Sequence, residues 1–307
     1  MKLSPQRLIG AVVTVALFAF ALFALHRTLA STPFADIEAA AARISGMDLA
    51  LAGSLTVGSY LALTLYDLLA LRLIDPRVSI PRAMRTAFVA YAFANTLGVP
   101  SLSGGSVRLR GYLREGLSAL QVASLQALCT LTFVLGALWI TSLAMLLDAA
   151  QAALALRMSP AGVRALGGTL LGLLLVYASL AKLRRSLRVG RWSLTLPSLR
   201  YMLAQVSVSS LDMCLAASCL YVLLPDVPTL SFPAFLAAFV LALAAGVVSS
   251  VPGGLGVFES TLVLLLPTAP TPELLGAVLV YRAIYYLAPF LLALFLFVTR
   301  ELRPTSR

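Results

Sequence analysis

Four ionisable side chains interrupt otherwise apolar runs: Asp67, Asp212, Glu259 and Arg282. A charge at the centre of a bilayer costs about 2.5–3.5 kcal/mol on insertion scales, so such residues face a cavity or a partner. Glu259 follows Val251-Pro252-Gly253-Gly254-Leu255-Gly256. There it could cap a helix start, where the dipole favours a carboxylate by about 0.3–1 kcal/mol, or act as a coupling carboxylate or the binder of a cationic headgroup. Arg282 lies in Tyr281-Arg282-Ala283-Ile284-Tyr285-Tyr286. Its guanidinium can fork onto phosphate or carboxylate, or form a buried ion pair with Glu259 or Asp212. Tyr281 and Tyr285 are candidate cavity walls, whereas Tyr286 reads as an interfacial belt residue. Ser103-Gly104-Gly105-Ser106 precedes Arg108, Arg110, Tyr112 and Arg114. Exposed amides at a half-helix start make an anion site, so Arg108 and Arg110 could hold a lipid phosphate there. Ordinary positive-inside charge is the alternative.

The elements that must position these groups are membrane helices. The 307 residues are 60% hydrophobic and 11% charged, less than half the charge of a soluble domain. Long apolar segments near 8–25, 49–71, 86–100, 119–147, 161–181, 201–224, 232–251, 254–266 and 274–299 fill nearly all of the chain, leaving no room for a soluble core. The net charge of +11 is spread between these segments, which argues against nucleic acid as a partner.

The basic residues decide the topology. Arg72, Arg77, Arg82 and Arg85 precede the 86–100 segment and Arg108, Arg110 and Arg114 follow it, and both groups belong in the cytoplasm. A single crossing would put one group outside. The conflict disappears if residues 86–107 enter the membrane and return, reversing at Pro100-Ser101-Leu102-Ser103-Gly104-Gly105. A second hairpin, 232–266, is broken by Pro252, Gly253, Gly254 and Gly256. Six spanning helices and two re-entrant hairpins with cytoplasmic termini then place 18 of the 23 Lys and Arg inside and 4 outside. The expectation is an all-α polytopic membrane protein forming one transmembrane domain over 1–307.

The same elements occur twice, over 8–147 and 161–299, with Gly104-Gly105 and Gly253-Gly254 149 residues apart. The halves start on opposite sides. Inverted repeats broken by Gly and Pro at matched positions point to a transporter's substrate site. A duplicated scaffold without transport is the bland alternative. Asp67 and Asp212 fall at related places, in the second helix of each half.

Other chemistry finds little support. Cys129, Cys214 and Cys219 lack zinc spacing and read as small packing residues, and the single histidine, His26, excludes a multi-histidine metal site. There is no Walker loop and no nucleophile elbow. No enzyme, catalytic residue, metal or other cofactor is expected, and any transport is passive or coupled to an ion gradient. Lys2 and Arg7 ahead of Leu8–Leu25 resemble a signal peptide, but the run is long and is read as a retained first helix.

Asn95-Thr96-Leu97-Gly98, Gly104-Gly105-Ser106-Val107-Arg108-Leu109-Arg110, Val251–Glu259 and Tyr281-Arg282 with Tyr285-Tyr286 and Pro289 carry a resemblance. From about residue 8 to 299 the chain resembles the membrane domain of the lysylphosphatidylglycerol synthetase family, the flippase domain of the multiple peptide resistance factor. The resemblance implies movement of aminoacylated phosphatidylglycerol between leaflets of a bacterial inner membrane, by a stand-alone member without the soluble synthase domain. Expected partners are anionic or aminoacylated phospholipids, a separate synthase chain being an alternative, and an oligomer is compatible. In this reading Arg108 and Arg110 capture the phosphate, Glu259 and Asp212 meet the cationic part of the headgroup, and Arg282 holds those carboxylates. The rivals are an ion-coupled transporter of another lipid-linked or small substrate, and a scaffold for a lipid-modifying enzyme.

Overall fold

The computed structural model describes residues 34–97, 103–183, 186–189, 192–195, 198–225, 230–249, 251–267 and 269–301. The expected first helix at 8–25 and the turn at 98–102 lie outside these residues. Twelve helices follow in order: α1 Phe34–Ala42, α2 Gly46–Ile74, α3 Ile80–Leu97, α4 Ser103–Leu113, α5 Ala119–Leu147, α6 Ala149–Leu156, α7 Pro160–Leu183, α8 Leu199–Tyr221, α9 Phe232–Ser249, α10 Val257–Leu265, α11 Thr271–Tyr281 and α12 Ala288–Glu301. A π turn, Arg282–Leu287, joins α11 to α12, and a short hairpin, β1 Ser186–Val189 with β2 Trp192–Thr195, joins α7 to α8. The protein is all-α and polytopic apart from that hairpin.

Six helices among the described residues are long and apolar enough to cross a membrane: Gly46–Ile74, Ala119–Leu147, Pro160–Leu183, Leu199–Tyr221, Phe232–Ser249 and Thr271–Thr299. Five of them match the expected spans. Phe232–Ser249, expected as one arm of a hairpin, qualifies because its 18 residues contain no charge. At 1.5 Å per residue it reaches about 27 Å, close to the hydrocarbon thickness. The helix α3 is equally long but carries Arg82 and Arg85 in its first turns.

Local chemistry starts the long helices cleanly. Ser45 and Ser198 cap α2 and α8 through their hydroxyls. At α5, Ser118 Oγ accepts from the Gln121 amide at 3.3 Å while Gln121 Oε1 accepts from the Ser118 amide at 2.8 Å, a complete capping box. Inside the bundle α2 packs along α8, and α5 packs on α7 and α8. Small residues permit the closest approaches: a Cβ on Gly136 would lie 1.6 Å from Ser209 Oγ, so α5 and α8 meet nearly backbone to backbone.

The α3/α4 pair is antiparallel. Tyr112 OH points at the Ala83 carbonyl, Gly111 lies against Thr86, and Arg82 bridges Glu115 at 2.9 Å. The two basic groups around this pair therefore sit at one end of it. Gly104 and Gly105, expected in the reversal, instead lie in the first turn of α4, where a Cβ on Gly104 would stand 2.6 Å from the Ala90 carbonyl oxygen of α3. The α9/α10 pair turns at Pro252–Gly254, with Gly253 and Gly254 at φ 59° and 61°, a region that side-chain-bearing residues rarely adopt. The tip of this turn abuts the end of α3: a Cβ on Gly253 would be 3.0 Å from the Thr96 carbonyl oxygen.

Candidate functional site

The ionisable residues gather into three neighbouring polar groups inside the bundle. In the first, Asp67 of α2 is fully buried and forks onto Arg108 of α4, with Nη2–Oδ1 at 2.8 Å and Nε–Oδ2 at 3.0 Å. Tyr112 OH donates to Asp67 Oδ2 at 2.7 Å, and Cys129 Sγ lies 3.4 Å from Oδ1. The remaining edge of Arg108 donates to Gln126 Oε1 at 2.9 Å, and its guanidinium carbon stands 4.3 Å from the centroid of Tyr91. Two hydrogen bonds to the carboxylate and one to an amide engage all three guanidinium nitrogens, with an aromatic ring against the guanidinium carbon. The structure therefore differs from the expectation that Arg108 meets a headgroup. Placed on α4 one turn past its glycines, it points into the bundle and bonds to protein through each of its three nitrogens. Cys129, expected only to pack, also makes a polar contact.

The second group centres on Asp212 of α8. Ser59 Oγ donates to Oδ1 at 2.6 Å and Tyr66 OH to Oδ2 at 3.1 Å. Tyr66 adjoins Asp67 on α2, so one dipeptide serves both groups. Ser59 also pairs with Tyr285 OH at 2.7 Å. Arg282, expected to hold both Asp212 and Glu259, makes no described contact with Asp212.

In the third group Arg282 Nε binds Glu259 Oε1, and Nη1 donates to the Gly253 carbonyl at 3.0 Å. Glu259 Oε2 accepts from the Gly256 amide at 2.8 Å, so this carboxylate is both the cap of α10 and the partner of Arg282. The cap expected of Glu259 and the ion pair expected of Arg282 coexist in one side chain. Arg282 lies over the Tyr286 ring at 5.3 Å, so this tyrosine packs against the ion pair. Arg282 Nη2 is buried and has no protein acceptor.

The π turn brings the last two groups together. Pro289 has no amide hydrogen, so the Tyr285 carbonyl four residues earlier has no α-helical donor. Tyr60 OH supplies one at 3.1 Å, and Thr96 Oγ1 donates to the Tyr286 carbonyl at 3.3 Å. The widened turn directs Arg282 towards Glu259 and Tyr285 towards Ser59. Tyr281 and Tyr285 stack at 5.0 Å behind them. Such π bulges occur often at functional sites. Ser59, Tyr60, Tyr66, Tyr91, Gln126 and Thr132 look like ordinary members of apolar runs and carry no signal of their own. Gln205 Nε2 finds Thr132 at 2.7 Å by the same inward spacing.

Outside this network, Arg110 lies exposed at a groove of about 600 Å³. Ser103 and Ser106 line its start, and Phe93, Leu113 and Phe297 form apolar walls. Arg85 and Arg114 stand at an adjoining smaller cavity shared with Arg110 and Phe297.

Apolar crossings around a buried ionic network define an integral membrane protein, and a relative named as an inner membrane protein places it in that membrane. The chain is 33% identical to protein slr0712 of Synechocystis sp. over 286 residues, covering 92% of this chain and 89% of that protein. It is 30% identical to the inner membrane protein YbhN of Escherichia coli over 252 residues, covering 80% and 78% of the two chains. The chain belongs to the family of these two proteins. It is also 27% identical over 287 residues to a phosphatidylglycerol lysyltransferase of Staphylococcus aureus, covering 92% of this chain and 33% of that one. No family model matches the chain.

Proposed function

We propose that this protein moves phospholipids of the phosphatidylglycerol class between the leaflets of the inner membrane, with no covalent step assigned to this region. The observation that carries this reading is the groove along α4. It joins an exposed arginine and two serines to aromatic and aliphatic walls, the composition an amphiphile needs for a phosphate and its acyl chains. A small polar solute would not use the apolar walls. The relation to proteins that, by name, act on phosphatidylglycerol supports the same class.

In this reading Arg110, helped by Arg85 and Arg114, receives the phosphate, while Arg108 positions α4 through Asp67. The α3/α4 and α9/α10 pairs are re-entrant hairpins in two inverted repeats of a single domain, entering from opposite sides and meeting at Gly253 and Thr96. Both termini are cytoplasmic in this reading. Glu259 and Arg282 line the passage at the tip of the second hairpin.

Reconstitution tests the proposal. Labelled phosphatidylglycerol and lysylphosphatidylglycerol should change leaflets faster in vesicles holding wild type than in empty vesicles, with Glu259→Gln and Arg282→Ala abolishing the gain. Folded protein that moves neither lipid would send the search to another substrate.

A further inference from the structure

The three buried carboxylates are not compensated alike. Asp67 has Arg108 and Glu259 has Arg282, but no described arginine or lysine bridges Asp212. The residue is 6% exposed and is held by hydroxyls, Ser59 at 2.6 Å and Tyr66 at 3.1 Å. A hydroxyl offers a dipole and no counter-charge. Keeping a carboxylate from water without a counter-charge is costly even when hydroxyls donate to it, and uptake of a mobile cation relieves that cost.

The surrounding groups are neutral or remote. From α2, Tyr66 donates to Asp212 and Ser59 links it to Tyr285 of the π turn, which has Tyr281 stacked behind it and Tyr60 on its carbonyl. Cys214 lies near it on α8, and Cys129 of α5 reaches towards Tyr66. The helix α9 carries no titratable residue, and Glu273 of α11 and Arg164 and Lys182 of α7 make no bridge to Asp212.

We infer that Asp212 is a proton-binding site that couples lipid movement to a proton gradient, an inference that rests on the translocator reading above. The oxygens are arranged for it. When Asp212 is ionised, Ser59 gives its single hydrogen to Oδ1, so the Ser59–Tyr285 contact at 2.7 Å is made by the Tyr285 hydrogen. A proton arriving on Oδ1 forms a carboxyl O–H that donates to Ser59. Ser59 then donates to Tyr285, and the Tyr285 hydrogen must turn away. Only O–H bonds are made or broken, and the proton returns to water when the chain reverses. Tyr285 stands in the same π turn as Arg282, so loading Asp212 alters the segment that holds Glu259.

Infrared difference spectra of the purified protein in lipid discs test the site without any transport. Wild type titrated through neutral pH should show a carboxylic C=O band that Asp212→Asn loses and Asp212→Glu displaces. Asp67→Asn and Glu259→Gln should keep it, and replacing sodium by potassium should not change it. A band that survives in Asp212→Asn, or no such band in wild type, overturns the proton site. In vesicles, a gradient of one pH unit should bias wild-type lipid movement by up to about tenfold, the limit for one proton. Lipid movement that ignores the proton gradient, or follows sodium, overturns the coupling and leaves the translocator reading intact. Loss of the band in Asp212→Asn without lipid movement in wild type would keep the proton site and remove the lipid.

Discussion

Tyr60 donates its phenolic hydrogen to the carbonyl of Tyr285, the acceptor that Pro289 leaves without an amide. Two helices distant in sequence are thereby joined at the one point where the last helix departs from its regular ladder. The bond fixes the π turn, and the π turn aims Arg282 and Tyr285.

Removing that hydroxyl should be costly. In Tyr60→Phe the buried carbonyl loses its donor, which should destabilise the fold by about 1–3 kcal/mol. Adding Pro289→Ala restores an amide and should recover part of the loss. Thermal unfolding of the single and double variants in detergent measures both effects.

The Asp67–Arg108 pair is expected to act as a unit. Asp67→Asn leaves Arg108 buried beside a neutral group, at a cost of about 3–5 kcal/mol. Replacing both by leucine should be far less harmful than replacing either alone. A double-mutant cycle on unfolding free energies decides the matter.

At the tip of the second hairpin, Gly253→Ala should destabilise by about 1–3 kcal/mol, because φ is positive there and the new methyl would press on the Thr96 carbonyl oxygen. Gly168 of α7 has open space at its Cβ position, so Gly168→Ala is the control. It should stabilise its helix by up to about 1 kcal/mol. Melting temperatures of the two variants should move in opposite directions.

Arg110 should separate function from stability. Its side chain is exposed at the groove, so Arg110→Ala should leave the melting temperature within a degree or two, about the spread of a surface change. Lipid movement in vesicles should fall several-fold if the groove receives the phosphate. Unchanged movement would remove the groove from the path.

The long helices were legible because apolar length announces a membrane span whatever it packs against. Ala119–Leu147 falls where its hydropathy puts it, and α2, α7 and α8 lie within a few residues of expectation. The buried charges were legible for the related reason that each is anomalous in its run. Their partners were not. Ser59 and Tyr66 are common in membrane helices, and only the packing of α2 on α8 turns them towards Asp212. Arg108 belongs by sequence to a basic cluster, and what separates it from Arg110 is a two-residue step around α4 that only the fold resolves. The helices α1 and α6 and the hairpin in 186–195 are too short to leave a periodic signal, and the π turn depends on a donor from another helix.

That π turn also sets a phase. Each residue of an α-helix advances its side chain by roughly 100°, so one extra residue in a turn rotates everything beyond it by about that angle. Phe297, on α12, forms a wall of the arginine groove only in the rotated setting. Arg282 and Tyr285, within the turn itself, point towards the buried carboxylates. A single-residue deletion within 282–287 would therefore act as an angular error: the regular ladder would return, and the last helix would turn Phe297 away from Arg110 while its length and hydropathy hardly changed.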